Sequence, residues 1–204
     1  MYRVYRIPFS MNVERVALAL GHKAVAVEWV DVDPADRSEV ERISGQTLVP
    51  VLVDEGRVVV DSTEILRHVE ATHPDPPLWP ADGASRAELD LFLDWFNRVW
   101  KVPPNAIEAE RASADPDESR IAALGEELSE SRDLFERLLT DRDYLFGEFS
   151  VADCAAFPFL KYGLIWDEED DQLFHRILVD HLRLDRDYPR LEAWIRRVDE
   201  RPRA

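Results

Sequence analysis

The sequence predicts two domains, an α/β domain with the element order βαβαββα and then an all-α helical bundle. In the first third of the chain, β-branched runs alternate with segments whose apolar residues recur every three to four positions. Residues 74–80 then contain four prolines, which cannot continue a helix and indicate a linker. Beyond them, apolar stripes of helical period follow one another. We therefore predict a first domain at residues 1–75, a linker at 76–84 and a helical domain at 85–204.

Each element of the first domain follows from a local pattern. Strands are expected where β-branched and aromatic residues concentrate, at residues 4–7, 24–32, 51–53 and 57–60. Asp54, Glu55 and Gly56 supply the turn of a hairpin between the last two strands. Helices are expected where apolar residues share one face, at residues 12–20, 38–43 and 62–71.

The second domain is predicted from helical stripes alone. The stripes indicate helices at residues 85–101, 121–138, 150–162, 173–182 and 189–198. The pair Pro103 and Pro104 is expected to end the first of them. Ser150 and Asp153 form a capping box before an apolar run, which marks where the third of these helices begins.

Composition excludes several classes of function. A formal net charge of −17, from 42 acidic and 25 basic residues, argues against nucleic-acid binding and against anionic membrane surfaces. The single cysteine, Cys154, allows no intrachain disulfide. No signal peptide or membrane-length apolar run is visible, so we expect a cytoplasmic protein. The five histidines lack metal-ligand spacing, and we predict the acidic run 167–171 to be a solvated turn, with no metal bound.

The run from Leu48 to Val53 contains the most informative residue, Pro50. Proline removes a donor from a strand ladder, so a proline at the start of an apolar β-type run indicates a special turn or a cis peptide. We predict a cis peptide at Val49–Pro50. Val49 would then be extended, with its backbone groups open to an added peptide-like strand.

Two helix starts carry residues that suit a ligand. Ser10 directly precedes the first helix, where its hydroxyl could either cap the helix or donate to a bound ligand. Asn12 could also be such a cap. Asp61 and Ser62 open another helix, where they could bind an anion or, with Glu64, form a capping box. The residues alone leave both alternatives open at each start.

Five segments together resemble the glutathione transferase superfamily over nearly the whole chain. They occur in the family's order and begin at Pro8, Val49, Asp61, Phe149 and Trp194. The resemblance implies a thioredoxin-like first domain that binds glutathione, or another low-molecular-weight thiol, as cosubstrate. It implies that Ser10 stabilises the thiolate, with Tyr5 as the runner-up because some classes use a tyrosine at the end of strand one. Because Ser10 stands where a glutaredoxin has its cysteine, thiol–disulfide exchange by the protein is not expected.

The remaining site residues are also implied by the resemblance. The thiol site would comprise Asn12, Leu48, Val49, Pro50, Asp61 and Ser62, with the backbone of Val49 on the cysteinyl part and the pair Asp61–Ser62 on the γ-glutamyl end. Asp61 is shorter than the family's usual Glu or Gln, and Leu48 lacks the basic or polar group that is common there. Walls of the electrophile pocket, which is expected between the domains, would be Met11, Trp95 and Trp100.

The resemblance leaves several functions open. It implies a transferase that adds a thiol to a small electrophile, and it implies a homodimer. A thiol-dependent isomerase or dehalogenase could use the same scaffold. A non-catalytic thiol-binding or protein-interaction module could also keep only the fold, since fold does not fix function.

Overall fold

A four-stranded mixed sheet organises the first part of the chain. In the computed structural model, which describes residues 1–184 and 187–204, its strands are β1 (Tyr2–Arg6), β2 (Val27–Asp31), β3 (Val51–Asp54) and β4 (Arg57–Val60). The strand order is β2-β1-β3-β4, with β1 parallel to β2 and the other two pairings antiparallel. The chain divides into two units: unit 1 is Met1–Pro80 with Glu200–Ala204, and unit 2 is Ala81–Asp199.

Three helices complete the βαβαββα order of unit 1: α1 (Met11–His22), α2 (Ser38–Ser44) and α3 (Ser62–Thr72). Side chains alternate across a strand, so β1 contributes to both faces of the sheet. Tyr2 and Val4 pack with Val16 of α1 and Ile65 of α3 in one cluster. The opposite face carries a second cluster, formed by Tyr5, Val32, Val40 and Val51, in which Val40 belongs to α2. Helices α1 and α3 therefore cover the same face, which places their first turns on one side of the sheet.

The end of α1 is held by a buried ammonium group. The side chain of Lys23 is 0% exposed and pairs with Glu70 at 2.7 Å. Its Nζ also donates to the carbonyl oxygens of His73 at 2.7 Å and Pro76 at 2.8 Å. Because a buried charge has to be paired and hydrogen-bonded, these three acceptors stabilise the junction of α1, α3 and the proline-rich segment.

In the described part of unit 2, the regular elements are helical apart from two isolated bridges. Its helices are α4 (Gly83–Trp95), α5 (Val102–Arg111), α6 (Glu118–Leu138), α7 (Val151–Leu160), α8 (Leu173–Leu182) and α9 (Pro189–Asp199). A π-type segment, Phe96–Trp100, continues α4, and a 3-10 turn, Lys161–Gly163, follows α7. The predicted α/β domain followed by a helical domain is confirmed. None of the helices in residues 1–184 and 187–204 combines the length and apolarity that a membrane crossing needs.

The predicted capping box at the start of α7 is confirmed. Ser150 Oγ accepts from the Ala152 amide at 3.3 Å, and Asp153 accepts from the Ser150 amide at 2.9 Å. The fully buried Asp153 carboxyl also accepts from the Leu145 amide at 3.0 Å and the Trp194 indole at 2.8 Å. Burial raises the pKa of Asp153, although these donors favour the carboxylate.

One sequence expectation for unit 2 is confirmed but incomplete, and another is wrong. The first helical stretch ends at Trp100, before Pro103 and Pro104. These prolines also lie in the first turn of α5, a helix that the sequence did not indicate, where a missing N–H costs no intrahelical bond. The run 167–171 is not wholly solvated, since Asp170 is buried and accepts from Tyr162 at 2.9 Å. Its Oδ2 also lies 2.6 Å from Nδ1 of His175, so a residue five positions later draws this carboxylate inward.

Candidate functional site

The candidate site of unit 1 is built from the starts of three elements. Helix α1 begins after Ser10, strand β3 after Pro50 and helix α3 after Asp61. Strand β3 is hydrogen-bonded to β1, with Val51 opposite Tyr5. Helix starts present free N–H groups and partial positive charge, and the backbone just before β3 can pair with an added strand.

Ser10 is the N-cap of α1. Its Oγ accepts from the Val13 amide at 3.4 Å, and its carbonyl accepts from the Glu14 amide at 3.0 Å. A hydroxyl that accepts at its oxygen retains its own hydrogen as a donor, so capping and thiolate stabilisation are compatible. Phe9, the residue before it, has φ 58°, a left-handed conformation that a bulky side chain rarely adopts and that clusters at functional sites.

Tyr5 points to the other side of the sheet. Its side chain is buried with Val40 of α2, whereas α1 packs on the face of Tyr2 and Val4. This geometry favours Ser10 over Tyr5 as the candidate for contact with a thiolate.

Ser62 joins the two helix starts. Its Oγ donates to Oδ1 of Asn12 at 3.5 Å and accepts from Nη1 of Arg15 at 3.4 Å. The structure thus brings Asn12 and Ser62 together. Arg15 was missed because its position in the middle of a helical stripe resembles an ordinary surface residue, yet its side chain is buried.

Asp61 is the N-cap of α3. Its Oδ1 accepts from the amides of Thr63 at 2.8 Å and Glu64 at 3.2 Å. Its φ of 68° is again a left-handed conformation at a residue directly before a helix. Asp61 therefore caps α3, which is the Asp61 half of the predicted capping box, and both of these bonds end on one of its two carboxylate oxygens.

The peptide bond Val49–Pro50 is cis, as predicted; Asp75–Pro76 is also cis, which the sequence did not indicate. Within residues 1–184 and 187–204, no hydrogen bond joins the Val49 backbone to another part of the chain. The neighbouring Leu48 has its backbone held by the Gln46 side chain, whose Nε2 donates to the Leu48 carbonyl at 2.8 Å. The Leu48 side chain is apolar and 68% exposed, just before the start of strand β3.

A cation that the sequence did not indicate lies beside this loop. Nη1 of Arg37 donates to the carbonyl oxygen of Thr47 at 3.3 Å, and its Nε donates to that of Pro34, also at 3.3 Å. The Arg37 guanidinium therefore contacts Thr47, the residue directly before Leu48. A cation from the residue before α2, eleven positions earlier than Leu48, thus lies beside this loop, a relation that chain spacing alone does not reveal.

The three residues assigned to the electrophile pocket differ in their burial. Met11, the first residue of α1, is half-buried, as is Trp95, the last residue of α4. Trp100 is only 3% exposed, stacks on Phe96 at 4.5 Å and donates its Nε1 to Ser131 at 2.9 Å. It is a core residue of unit 2, and we do not retain it as a pocket wall.

Comparisons with known proteins agree with this architecture. Residues 4–77 match the family model of the glutathione S-transferase N-terminal domain, and residues 102–202 match that of the C-terminal domain. The crystal structure of the β-etherase LigF from Sphingobium sp. strain SYK-6 superposes with a TM-score of 0.80 at 21% identity, covering 98% of this chain and 96% of that one. At this identity the likeness shows the fold.

Two relatives illustrate how widely the functions of similar chains differ. FtsZ-localized protein A of Caulobacter vibrioides is 29% identical over 170 residues, covering 75% of this chain and 73% of that protein. Glutathione S-transferase F10 of Arabidopsis thaliana is 28% identical over 167 residues, covering 76% and 78% respectively.

Proposed function

Because the chain belongs to the glutathione transferase superfamily, we propose that it binds glutathione in unit 1 and activates it as a thiolate for attack on a small electrophile. The observation that carries the proposal is the Ser62–Asn12 hydrogen bond, which links the start of α3 to the start of α1, two residues from Ser10. The Val49 backbone supports it, because within the described residues no hydrogen bond joins it to another part of the chain.

In this proposal each end of the tripeptide has its own contacts. The amide of Ser62 and the start of α3 bind the γ-glutamyl carboxylate, while Asp61 faces the amine. Val49 and Pro50 receive the cysteinyl backbone as an added strand. Arg37 binds the glycyl carboxylate in place of the charge that Leu48 lacks.

Ser10 contributes by lowering the pKa of the bound thiol. A free thiol has a pKa of about 8.5, and a hydroxyl donor beside a helix start favours the thiolate. With an aryl chloride as the electrophile, the thiolate attacks the carbon that bears chlorine, a C–S bond forms, and the C–Cl bond breaks to release chloride. The proton of the thiol is lost to water before the attack. Met11, next to Ser10, is our candidate for contact with the electrophile.

The test is the variant Ser10→Ala, assayed with glutathione and chlorodinitrobenzene. At saturating glutathione, the pH profile of kcat/KM for the electrophile reports the pKa of the bound thiol. We expect Ser10→Ala to raise that pKa and to cost about 1.5–3 kcal/mol of transition-state stabilisation, the value of a charge-assisted hydrogen bond. Glutathione affinity, measured by calorimetry, should change little.

Tyr5→Phe is the matched control, since it also removes one hydroxyl from unit 1. We expect its activity to equal that of the unsubstituted protein. Unchanged activity in Ser10→Ala together with a loss in Tyr5→Phe would assign the thiolate contact to Tyr5 and overturn the proposal for Ser10.

We also propose that the protein works as a cytoplasmic homodimer. Both units expose apolar side chains that a partner could cover, Val58 and Val60 on β4 and Leu91, Val99 and Val102 near α4. A mass measured by light scattering decides between a dimer and a monomer.

A second candidate function is a protein-interaction module that retains the thiol site without turnover. The likeness to FtsZ-localized protein A favours it, because that relative is named for its association with another protein. Retention on immobilised glutathione with no conjugation of chlorodinitrobenzene or other electrophiles would support this candidate over the transferase.

A further inference from the structure

Residues 201–204, which we call the strap, lie along helix α1 within unit 1. The strap runs from the end of the helix toward its beginning. Nη2 of Arg201 donates to Nδ1 of His22 at 2.7 Å, and the Ala204 amide donates to the carbonyl of Ala17 at 3.2 Å.

An ion pair joins the strap to the first turn of α1. Nη2 of Arg203 lies 3.0 Å from Oε1 of Glu14, and the two side chains are only 26% and 18% exposed. Nη1 of Arg203 also donates to the Arg201 carbonyl at 2.9 Å, which fixes the guanidinium within the strap.

Close packing supports the same arrangement. A Cβ at Gly21 would lie 2.1 Å from the Pro202 carbonyl oxygen, so only glycine allows this approach. The indole of Trp29 donates to the Ala204 carbonyl at 2.9 Å, which ties the strap to strand β2.

We infer that Arg203 is a positioning residue for the first turn of α1, and hence for the Ser10 hydroxyl. Glu14 connects them, because its side chain pairs with Arg203 and its amide donates to the Ser10 carbonyl at 3.0 Å. The part that concerns Ser10 rests on the function proposed above, whereas the hold on the helix turn does not.

The test combines amide hydrogen exchange with thiol titration in the full chain, using glutathione and chlorodinitrobenzene. Arg203→Gln should speed exchange of the Val13 and Glu14 amides, since local opening of that turn becomes easier. It should also raise the pKa of the bound thiol and lower kcat/KM about threefold, the size of effect that a partly exposed ion pair supports. Arg203→Lys should restore the exchange rates, the pKa of the bound thiol and kcat/KM.

Glu14→Gln separates positioning from a plain charge effect. Loss of a negative charge by itself lowers the pKa of a nearby thiol, whereas loss of the ion pair should raise it as Arg203→Gln does. The double variant should be no worse than either single one, because both remove the same contact. Arg196→Gln, which breaks the exposed Arg196–Glu192 pair of α9, is the control and should change nothing.

Unchanged exchange at Val13 and Glu14 in Arg203→Gln would overturn the inference. So would faster exchange with an unchanged thiol pKa, provided that Ser10→Ala raises that pKa. If Ser10→Ala has no effect, the proposed function fails at Ser10, and the exchange data still decide whether Arg203 holds the helix turn.

Discussion

At the scale of single residues, a group that binds a carboxylate must present its cation to the ligand. The two described hydrogen bonds of Arg37 both end on backbone carbonyls, so its charge is not neutralised by them. Neutral acceptors orient a guanidinium without competing for its charge, which is why Arg37 is our candidate for the glycyl end.

We predict that Arg37→Gln lowers the affinity for glutathione about tenfold, or roughly 1.4 kcal/mol. The physical reason is the loss of one charge-assisted contact to the glycyl carboxylate. The dipeptide γ-glutamylcysteine, which lacks the glycine, provides the control in the same calorimetric titration, and its affinity should not change. Equal losses for both ligands would place Arg37 elsewhere in the site.

Asp61 and Ser62 are adjacent, and we expect Asp61 to act mainly on stability and Ser62 mainly on glutathione binding. Single substitutions should distinguish these two effects. Asp61→Ala removes the cap of α3 and should lower the free energy of unfolding by about 1 kcal/mol. Ser62→Ala leaves that cap in place, so it should reduce glutathione affinity more than it reduces stability. Calorimetry and thermal melts on both variants check this. A large drop in the melting temperature of Ser62→Ala with unaltered affinity would mean that Ser62 stabilises the fold and does not bind glutathione.

At the scale of elements, local patterns predicted the strands and helices of unit 1 because the periodicities of β1, α1 and α3 coincide with their burial. They missed α5, since prolines that open a helix, here Pro103 and Pro104, and prolines that follow one look alike in one sequence. The same limit applies to Arg15 and Arg37. Their neighbours Ser62 and Thr47 are distant in the chain, so only the fold reveals the contacts.

The contact between the strap and α1 should depend on pH. Burial and the nearby Arg201 charge lower the pKa of His22 below its usual value of 6.5. The unfolded chain therefore takes up a proton first, so stability is fully present above pH 6.5 and is lost as the pH falls toward the lowered pKa. We predict that the free energy of unfolding, measured with urea, declines over this interval.

The variant His22→Asn tests that assignment because it cannot titrate. Its stability should vary less with pH over the same interval than that of the unsubstituted protein. Parallel curves for the two proteins would show that other groups cause the decline, such as His181, whose pKa burial also lowers.

At the scale of the whole molecule, the net charge of −17 dominates the electrostatics. Many of the described ion pairs are exposed and contribute little to the free energy of unfolding. The excess of acidic over basic groups therefore leaves net repulsion between carboxylates. The exposed turn with Glu168 and Glu169 concentrates this repulsion, although Asp170 beside them is buried with His175.

We predict that salt stabilises the protein. Raising the ionic strength to about 0.15 M shortens the screening length to about 8 Å, which weakens repulsion between exposed carboxylates. The double substitution Glu168→Gln and Glu169→Gln changes the net charge from −17 to −15. It should raise the melting temperature at low salt and make no difference at high salt. The exposed Arg57 supplies the opposite change, so Arg57→Gln should lower the melting temperature at low salt only. Equal melting temperatures of the three proteins at low salt would mean that the repulsion is already neutralised by bound counterions.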